Sequence, residues 1–439
     1  MGEPDVRHPQ VVKSLSAAIL LGGAFGLPAF GQDSGAAAPD DVQFPDRMDG
    51  TLSAGGDRAE IDEPRASRFR FDTALDGWMA MKAQFRAATG ISFSGSLGYL
   101  YQTYSDPLNG VEDAAGFKLT FNLSKDILNA GSPEAMTLDI AVEQRGPVGT
   151  PLPPLQGGVA AGNMLPTAAA GGDFDLGITQ FYVRQSLNGN RFQYAVGRVF
   201  APNYVDAYPF FDDNRQFMNQ NFSISPTMAS ALRGFGAVAL VYPTEGGLYV
   251  QGGIFTANSL DTGFTLNDFV NVPEYFTTVE VGWSGLARTG MPIHARGPMD
   301  QNNVHVTLWH KDAQPDAPSP INRPEAQGVT FNANFMSGDN AMWFLRGGAS
   351  EGWITQSAIS AGIGYRPPSA QGDLLGFAGG WTDPESSALS SQYTLETFYR
   401  YQLTPNFAIT PDVQYVIGPS LNPAIDHQVI LGLRLRATF

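Results

Sequence analysis

The segment that decides the fold is the last one, Val429-Ile-Leu-Gly-Leu-Arg-Leu-Arg-Ala-Thr-Phe439. Val429, Leu431, Leu433, Leu435, Ala437 and Phe439 are apolar, and Gly432, Arg434, Arg436 and Thr438 fall between them. Successive side chains of a strand point to opposite faces, so one face is greasy and the other carries two arginines. The preceding stretch repeats the pattern, with Phe407, Ile409, Val413, Tyr415 and Ile417 against Thr410, Asp412 and Gln414. So does Tyr393–Leu403, with Tyr399 and Tyr401 against Glu396, Arg400 and Gln402. Alternation carried to the final residue, with aromatics at strand ends, predicts a transmembrane antiparallel β-barrel.

Working backwards from that terminus, period-two patterning extends to Ile91 and predicts sixteen strands. They fall at 91–105, 115–128, 135–145, 178–187, 191–200, 234–243, 247–257 and 275–284, then at 303–312, 328–337, 340–350, 357–366, 372–382, 391–403, 407–417 and 427–439. Segments of about ten residues, tilted near 40°, span roughly 25 Å. Long and short connections alternate, as they do when one rim faces outside and the other the periplasm, and only 285–302 breaks the rule. Asn188-Gly-Asn190 and Gly338-Asp339 have tight-turn chemistry.

The bulk composition agrees. Charged residues make up 15% of the 439, below the roughly 25% of soluble domains. The mature chain has no apolar run long enough for a membrane helix, so a bilayer span must be a closed barrel. Cys is absent, which excludes disulfides, thiolate metal sites and Cys nucleophiles.

Upstream, residues 1–31 read as a signal peptide: Arg7 and Lys13 precede the apolar run Leu15–Leu27 and a small-x-small site at Ala29-Phe-Gly31. Export followed by a barrel places the chain in the outer membrane of a Gram-negative bacterium. Residues 32–73 are a polar, broken leader, expected to be disordered in the periplasm. Much of the net charge of −16 sits there, which argues against a nucleic-acid partner. Residues 74–90 hold a helical stripe (Leu75, Trp78, Lys82, Phe85) with Gly90 as its cap, a short amphipathic helix leading into a barrel domain at 91–439.

Phasing the strands sends Lys118, Asn122, Asp139, Glu143, Arg145, Arg184, Glu280, Lys311, Asn332, Asn334, Arg346, Glu396, Arg400, Asp412, Gln414, Arg434 and Arg436 inward. In strand 191–200 the phase is ambiguous, because Phe192, Tyr194 and Val196 share it with Arg198. A sixteen-strand barrel leaves an aqueous channel, and both signs of charge line this one, which disfavours a pore for one simple ion. Two external loops are long enough to fold inward. Loop 146–177 is rich in Pro, Gly and Ala. Loop 201–233 combines Tyr204, Tyr208, Phe210, Phe211, Asp212, Asp213, Arg215, Phe217, Asn219, Phe222 and Arg233. Aromatic plates beside Asp, Asn and Arg suit the apolar faces and hydroxyls of sugars. Packing of these rings against the wall is an equally good reading.

Particular motifs carry a resemblance. They are Asp76-Gly-Trp78 with Lys82 and Gly90-Ile91, Val196-Gly-Arg198, Phe217-Met-Asn219, and Glu396 with Tyr399-Arg-Tyr-Gln402. The run Leu403–Pro419 and Gly432-Leu-Arg434 with Phe439 complete the set. Over residues 74–439 the chain resembles the carbohydrate-selective porins of Gram-negative outer membranes, the OprB type. The resemblance implies a sixteen-strand barrel, passive diffusion of small sugars such as glucose, and a constriction where arginines sit near acids. Arg198, Arg400 and Arg434 stand at matching motif positions. The chain departs from the family at 366–373, where it has Pro367, Pro368 and Asp373. Phase, loop chemistry and resemblance together nominate Arg184, Arg198, Arg233, Arg400, Arg434, Arg436, Glu143, Glu396 and Asp412 for the constriction, joined by Phe210, Phe211, Asp212 and Asn219 from the loop. The alternatives are a general diffusion porin and a structural or adhesive barrel. Partners are permeating sugars, outer-membrane lipid and further copies of the chain, as a trimer, if it is not a monomer. No cofactor or metal is expected: His305 and His310, five apart in a strand, face opposite sides, and no Gly-x-Ser-x-Gly or His-Glu-x-x-His motif occurs.

Overall fold

The computed structural model describes residues 75–168, 172–258, 262–285, 302–317, 322–368 and 372–439. The expected signal peptide, the leader and His294 lie outside these residues. The chain enters through helix α1 (Asp76–Thr89), closed by Gly90 in the left-handed conformation with its N–H donating to the Arg86 carbonyl. Then come β1 (Ile91–Tyr104), β2 (Asp113–Leu128), β3 (Met136–Pro147), β4 (Phe174–Leu187), β5 (Phe192–Val199), β6 (Gly234–Val241), β7 (Leu248–Thr256) and β8 (Tyr275–Ser284). The second half holds β9 (Asn303–Lys311), β10 (Ala326–Ser337), β11 (Ala341–Glu351), β12 (Thr355–Tyr365), β13 (Leu374–Pro384), β14 (Gln392–Thr404), β15 (Phe407–Ile417) and β16 (His427–Thr438). Short helices α2 (Pro154–Ala160), α3 (Gln220–Ser223) and α4 (Leu266–Asn271) lie in connections on the long-loop side. No described helix is long and apolar enough to cross a membrane.

Every strand pairs antiparallel with its sequence neighbour, and β16 pairs with β1 to close the barrel. Closure leaves no sheet edge unpaired, as a lipid-exposed sheet requires. At the seam Ser96 lies opposite Thr438 and Tyr104 opposite Ile430. The terminal Phe439 exchanges backbone hydrogen bonds with Gly95, at 2.8 and 2.9 Å. Its ring lies over Gly95, where an added Cβ would come within 2.3 Å of it, and meets Phe121 edge-on at 5.8 Å. The final residue thus locks the first strand to the last.

The predicted phases hold. Phe121, Val279, Val306, Leu308, Phe335, Trp343 and Leu345 are exposed on the outside. Asp139, Glu143, Glu280, Asn332, Glu396, Asp412 and Arg434 are buried on the inside. Helix α1 turns Met79 and Lys82 toward β1, and its Trp78 and Phe85 rings meet Phe93 at 5.8 and 5.6 Å.

The ambiguous strand is resolved by its register. Arg198 is the cross-strand partner of both Phe181 and Phe235, which groups it with outward-facing residues, yet it is completely buried. Gly197 beside it has φ of 137°, and an added Cβ there would stand 2.5 Å from the Phe181 carbonyl oxygen, so only glycine fits.

Candidate functional site: the lumen and its two inserted loops

The inner wall is not uniformly polar. From β6 to β14 it carries Val238, Leu240, Tyr249, Phe255, Phe276, Trp309, Met342, Phe344, Leu374 and Phe398, all nearly inaccessible to solvent. Strands such as Gly234-Phe-Gly-Ala-Val-Ala-Leu-Val241 are apolar on both phases, one forming the barrel's apolar exterior and the other covered from within by protein. The covering element is loop 200–233, which folds into the barrel. Phe217 sits at its centre, 5.8 Å from Phe210, 5.5 Å from Phe222, 5.8 Å from Phe344 and 5.0 Å from Phe398. Phe211 stacks on Phe200 at 6.2 Å. Burying an aromatic side chain contributes roughly 1.5–3 kcal/mol, so this cluster is the main force holding the loop in place. Phe210 and Phe211 are therefore packing residues, with 0% and 3% of their surface accessible, and present no open plate to a solute.

A buried ionic pin reinforces the cluster. The Asp206 carboxylate pairs with Arg346, accepts from Thr330 Oγ1 at 3.0 Å and lies 3.1 Å from His305 Nε2. The Asp206 backbone N–H donates to Glu280 at 2.8 Å, and that carboxylate also accepts from Tyr249 and Thr307. The Arg346 guanidinium lies 3.8 Å from the centroid of the Tyr208 ring, a cation–π contact. Burial alone would push the Asp206 carboxyl up, but the Arg346 charge and the His305 hydrogen bond outweigh it and hold it below the usual range. His305 is a structural member of this pin.

On the opposite, polar side of the lumen the loop is hydrogen-bonded to β14–β16. Glu396 accepts the backbone N–H groups of Met218 (2.5 Å) and Asn219 (3.1 Å). Asn219 Nδ2 donates to Gln414, whose own Nε2 donates to Asp412 (2.9 Å) and to the Thr167 carbonyl (2.8 Å). Arg434 Nη1 donates to the carbonyls of Asp213 (2.7 Å) and Gln216 (3.0 Å). The second inserted loop, described over 148–168, is held by amides: Gln102 donates to Thr167, Asn163 to Gln428, and the Met164 N–H to Gln392. The two loops meet where the Gln220 N–H donates to the Pro166 carbonyl at 3.0 Å.

Within this seam Arg434 keeps Nε and Nη2 without a protein hydrogen-bond partner, and Asp412 and Asp212 each keep Oδ2. Asp212 and Asp412 are among the opposite charges that act on Arg434, with Asp213 and Glu396. Unused donors and acceptors thus stand buried between loop and wall, where a solute's hydroxyls would reach them only as the loop shifts from the wall.

The nominated residues divide into groups. Arg434, Asp412, Asp212, Asn219 and Glu396 come together at the seam. Glu143 pairs with Arg145 at 2.6 Å, and Arg233 and Arg145 both stack on Phe174, at 4.9 and 5.1 Å. Arg184 is tied to Asp139 at 2.7 Å, nearer the short-loop rim. Arg400 donates twice to the Gly372 carbonyl near that same rim, and Arg436 is half-buried. Arg198 donates to the Thr179 carbonyl from its place between Phe181 and Phe235. The pin of Asp206, Tyr208, His305 and Arg346 carries no local signature, since Asp206 lies 99 residues from His305 and 140 from Arg346 in sequence.

Asp213 adds a titration to the polar side. Burial pushes its carboxyl up to about 7, with neighbouring Asp212 acting in the same direction and Lys118, Arg145 and Arg434 opposing. A carboxyl with a raised pKa in the folded state favours the protonated form. Its contribution to stability is fully present below the ordinary aspartate value and is lost as pH rises through about 7, where the lumen gains a negative charge. Reversal potentials in a salt gradient are expected to shift toward cations between pH 6 and 8, and Asp213→Asn to abolish the shift. A shift that persists in the variant would assign the titration elsewhere.

Against known proteins, residues 323–439 match the family described as carbohydrate-selective porin, OprB family. Among solved structures, one of Pseudomonas putida OprB at high pH superposes with a TM-score of 0.62 at 12% identity, over 82% of this chain and 97% of that one. A variant of Rh. blastica porin gives a TM-score of 0.48 at 12% identity, over 80% and 100% of the two chains. No curated protein matches in sequence. The chain is a closed sixteen-stranded barrel of porin type, and its carboxy-terminal part matches the carbohydrate-selective porins of the OprB family.

Proposed function

We propose that the protein is an outer-membrane porin through which small sugars diffuse passively, with no turnover and no cofactor. One observation carries this reading: Arg434, Asp412 and Asp212 keep unused, buried hydrogen-bonding atoms at the seam between the inserted loop and the polar wall. A sugar hydroxyl both donates and accepts, so a guanidinium facing carboxylates can bind and release successive hydroxyls without a large desolvation cost. Sites in a pore must bind well enough to admit a solute and weakly enough to release it. Placing the chain in the outer membrane of a Gram-negative bacterium follows from its apolar exterior and from the family matched by its last strands.

Liposome swelling with purified protein tests the proposal, comparing glucose with a disaccharide and with an amino acid of similar size. Faster swelling with glucose is expected. Equal rates for all small solutes would make it a general porin. No swelling with any solute would leave the structural or adhesive barrel.

A further inference from the structure

In the third long connection, the described residues 262–274 behave unlike the two inserted loops, because they turn outward. Phe264 packs on Phe181 at 5.1 Å, and Phe269 packs on Phe235 and Tyr275 at 5.4 Å each. Phe181 and Phe235 belong to the outward phase of β4 and β6, so the segment lies on the side of the barrel that faces lipid. Thr265 Oγ1 accepts the Phe235 backbone N–H at 2.7 Å and fixes it there. Phe181 is paired through Arg198 with Phe235, the second residue of β6, and Tyr275 is the first residue of β8, so the segment lies along the long-loop rim of β5–β8, against the part of β4 that rises beside it.

Its own surface is sorted into three faces. Phe269 points at the wall. Leu266 and Val270, one helical turn apart on α4, stand 46% and 67% exposed, and Phe264 and Val272 continue the apolar surface at 53% and 41%. Asn267 and Asn271, also one turn apart, form a separate polar face and are hydrogen-bonded to each other at 2.7 Å. Large apolar side chains on one face and amides on another are the pattern of an element lying in a membrane interface, apolar side in the acyl chains and polar side toward water. The apolar face is continuous with the lipid-facing wall that the segment covers. Arg198, buried in register between Phe181 and Phe235, lies on the strand that this segment roofs.

We propose that residues 262–272 form a flap seated in the lipid acyl chains at the long-loop rim, shielding the β4–β6 wall around Arg198. This rests on the reading of the barrel as membrane-spanning. The chain has no cysteine, so single sites can be labelled with bimane: Val270→Cys on the flap, Leu308→Cys on the bare wall of β9, and Asn271→Cys on the polar face. The full-length protein is reconstituted in phosphatidylcholine vesicles containing a nitroxide on the acyl chain. The label at Val270 is expected to be quenched by the lipid nitroxide as strongly as that at Leu308 and to be shielded from aqueous iodide, while that at Asn271 responds to iodide. A label at Val270 that iodide reaches while Leu308 stays lipid-quenched would overturn the flap and leave the barrel's membrane span intact. Shielding of Val270 from both quenchers would replace lipid with a second copy of the chain. Failure at Leu308 would overturn both readings.

Discussion

Replacing Phe217 with alanine is expected to widen the channel and admit disaccharides. Phe217 is the ring around which Phe210, Phe222, Phe344 and Phe398 gather, and none of its surface is accessible. Removing a fully buried phenylalanine costs about 3–5 kcal/mol, here charged almost entirely to the attachment of loop 200–233 to the wall. The closed sixteen-strand ladder does not depend on that contact, so the barrel should still fold, which the heat-modifiable mobility of the purified protein would confirm. With the loop loosened, single-channel conductance should rise and the swelling rate for a disaccharide should approach that for glucose. Unchanged conductance in a folded variant would mean that loop 200–233 does not set the width of the pore. Asp206 and Glu396 would still tether the loop at two other points, so partial rather than complete opening is the expected result.

Arg434→Gln is expected to abolish the preference for monosaccharide while leaving a conducting pore. Arg434 holds the loop through Nη1 and keeps Nε and Nη2 unused beside Asp212 and Asp412. Hydrogen bonds to a charged group contribute about 1.5–3 kcal/mol, so sugar block of the ionic current should weaken by about tenfold or more. Loss of the cation would also remove one positive charge from beside Asp212 and Asp412, and the reversal potential should move toward cations. Arg434→Lys separates the two effects. It keeps the charge but not the planar fork of donors, so ion preference should stay near that of the parent protein while sugar block falls. Unaltered sugar block in both variants would remove Arg434 from the recognition site.

The strands, their number and, outside strand 191–200, the face their residues present were legible from the chain alone, because alternation is a local property that an apolar exterior enforces. Val429 to Phe439 displays it as plainly as any strand here. The helix before the barrel was readable for the same reason, from a stripe and its Gly90 cap. What the loops do was not legible. Tyr208, Phe210 and Phe217 have the composition of a sugar-binding surface and of a packed core alike, and the choice depends on what lies across the lumen: Phe344 and Phe398, far along the chain. The same distance hides the pin, since Asp206 and Arg346 show their pairing only when the barrel closes around the loop. Strand β6 held a hint, being apolar on both phases, which a wall facing water on one side would not be. Patterning between neighbours thus determined the barrel and its lipid face. Tertiary closure decided which inner residues pack against the inserted loops and which connection turns outward, because those outcomes rest on contacts between segments that sequence spacing does not relate.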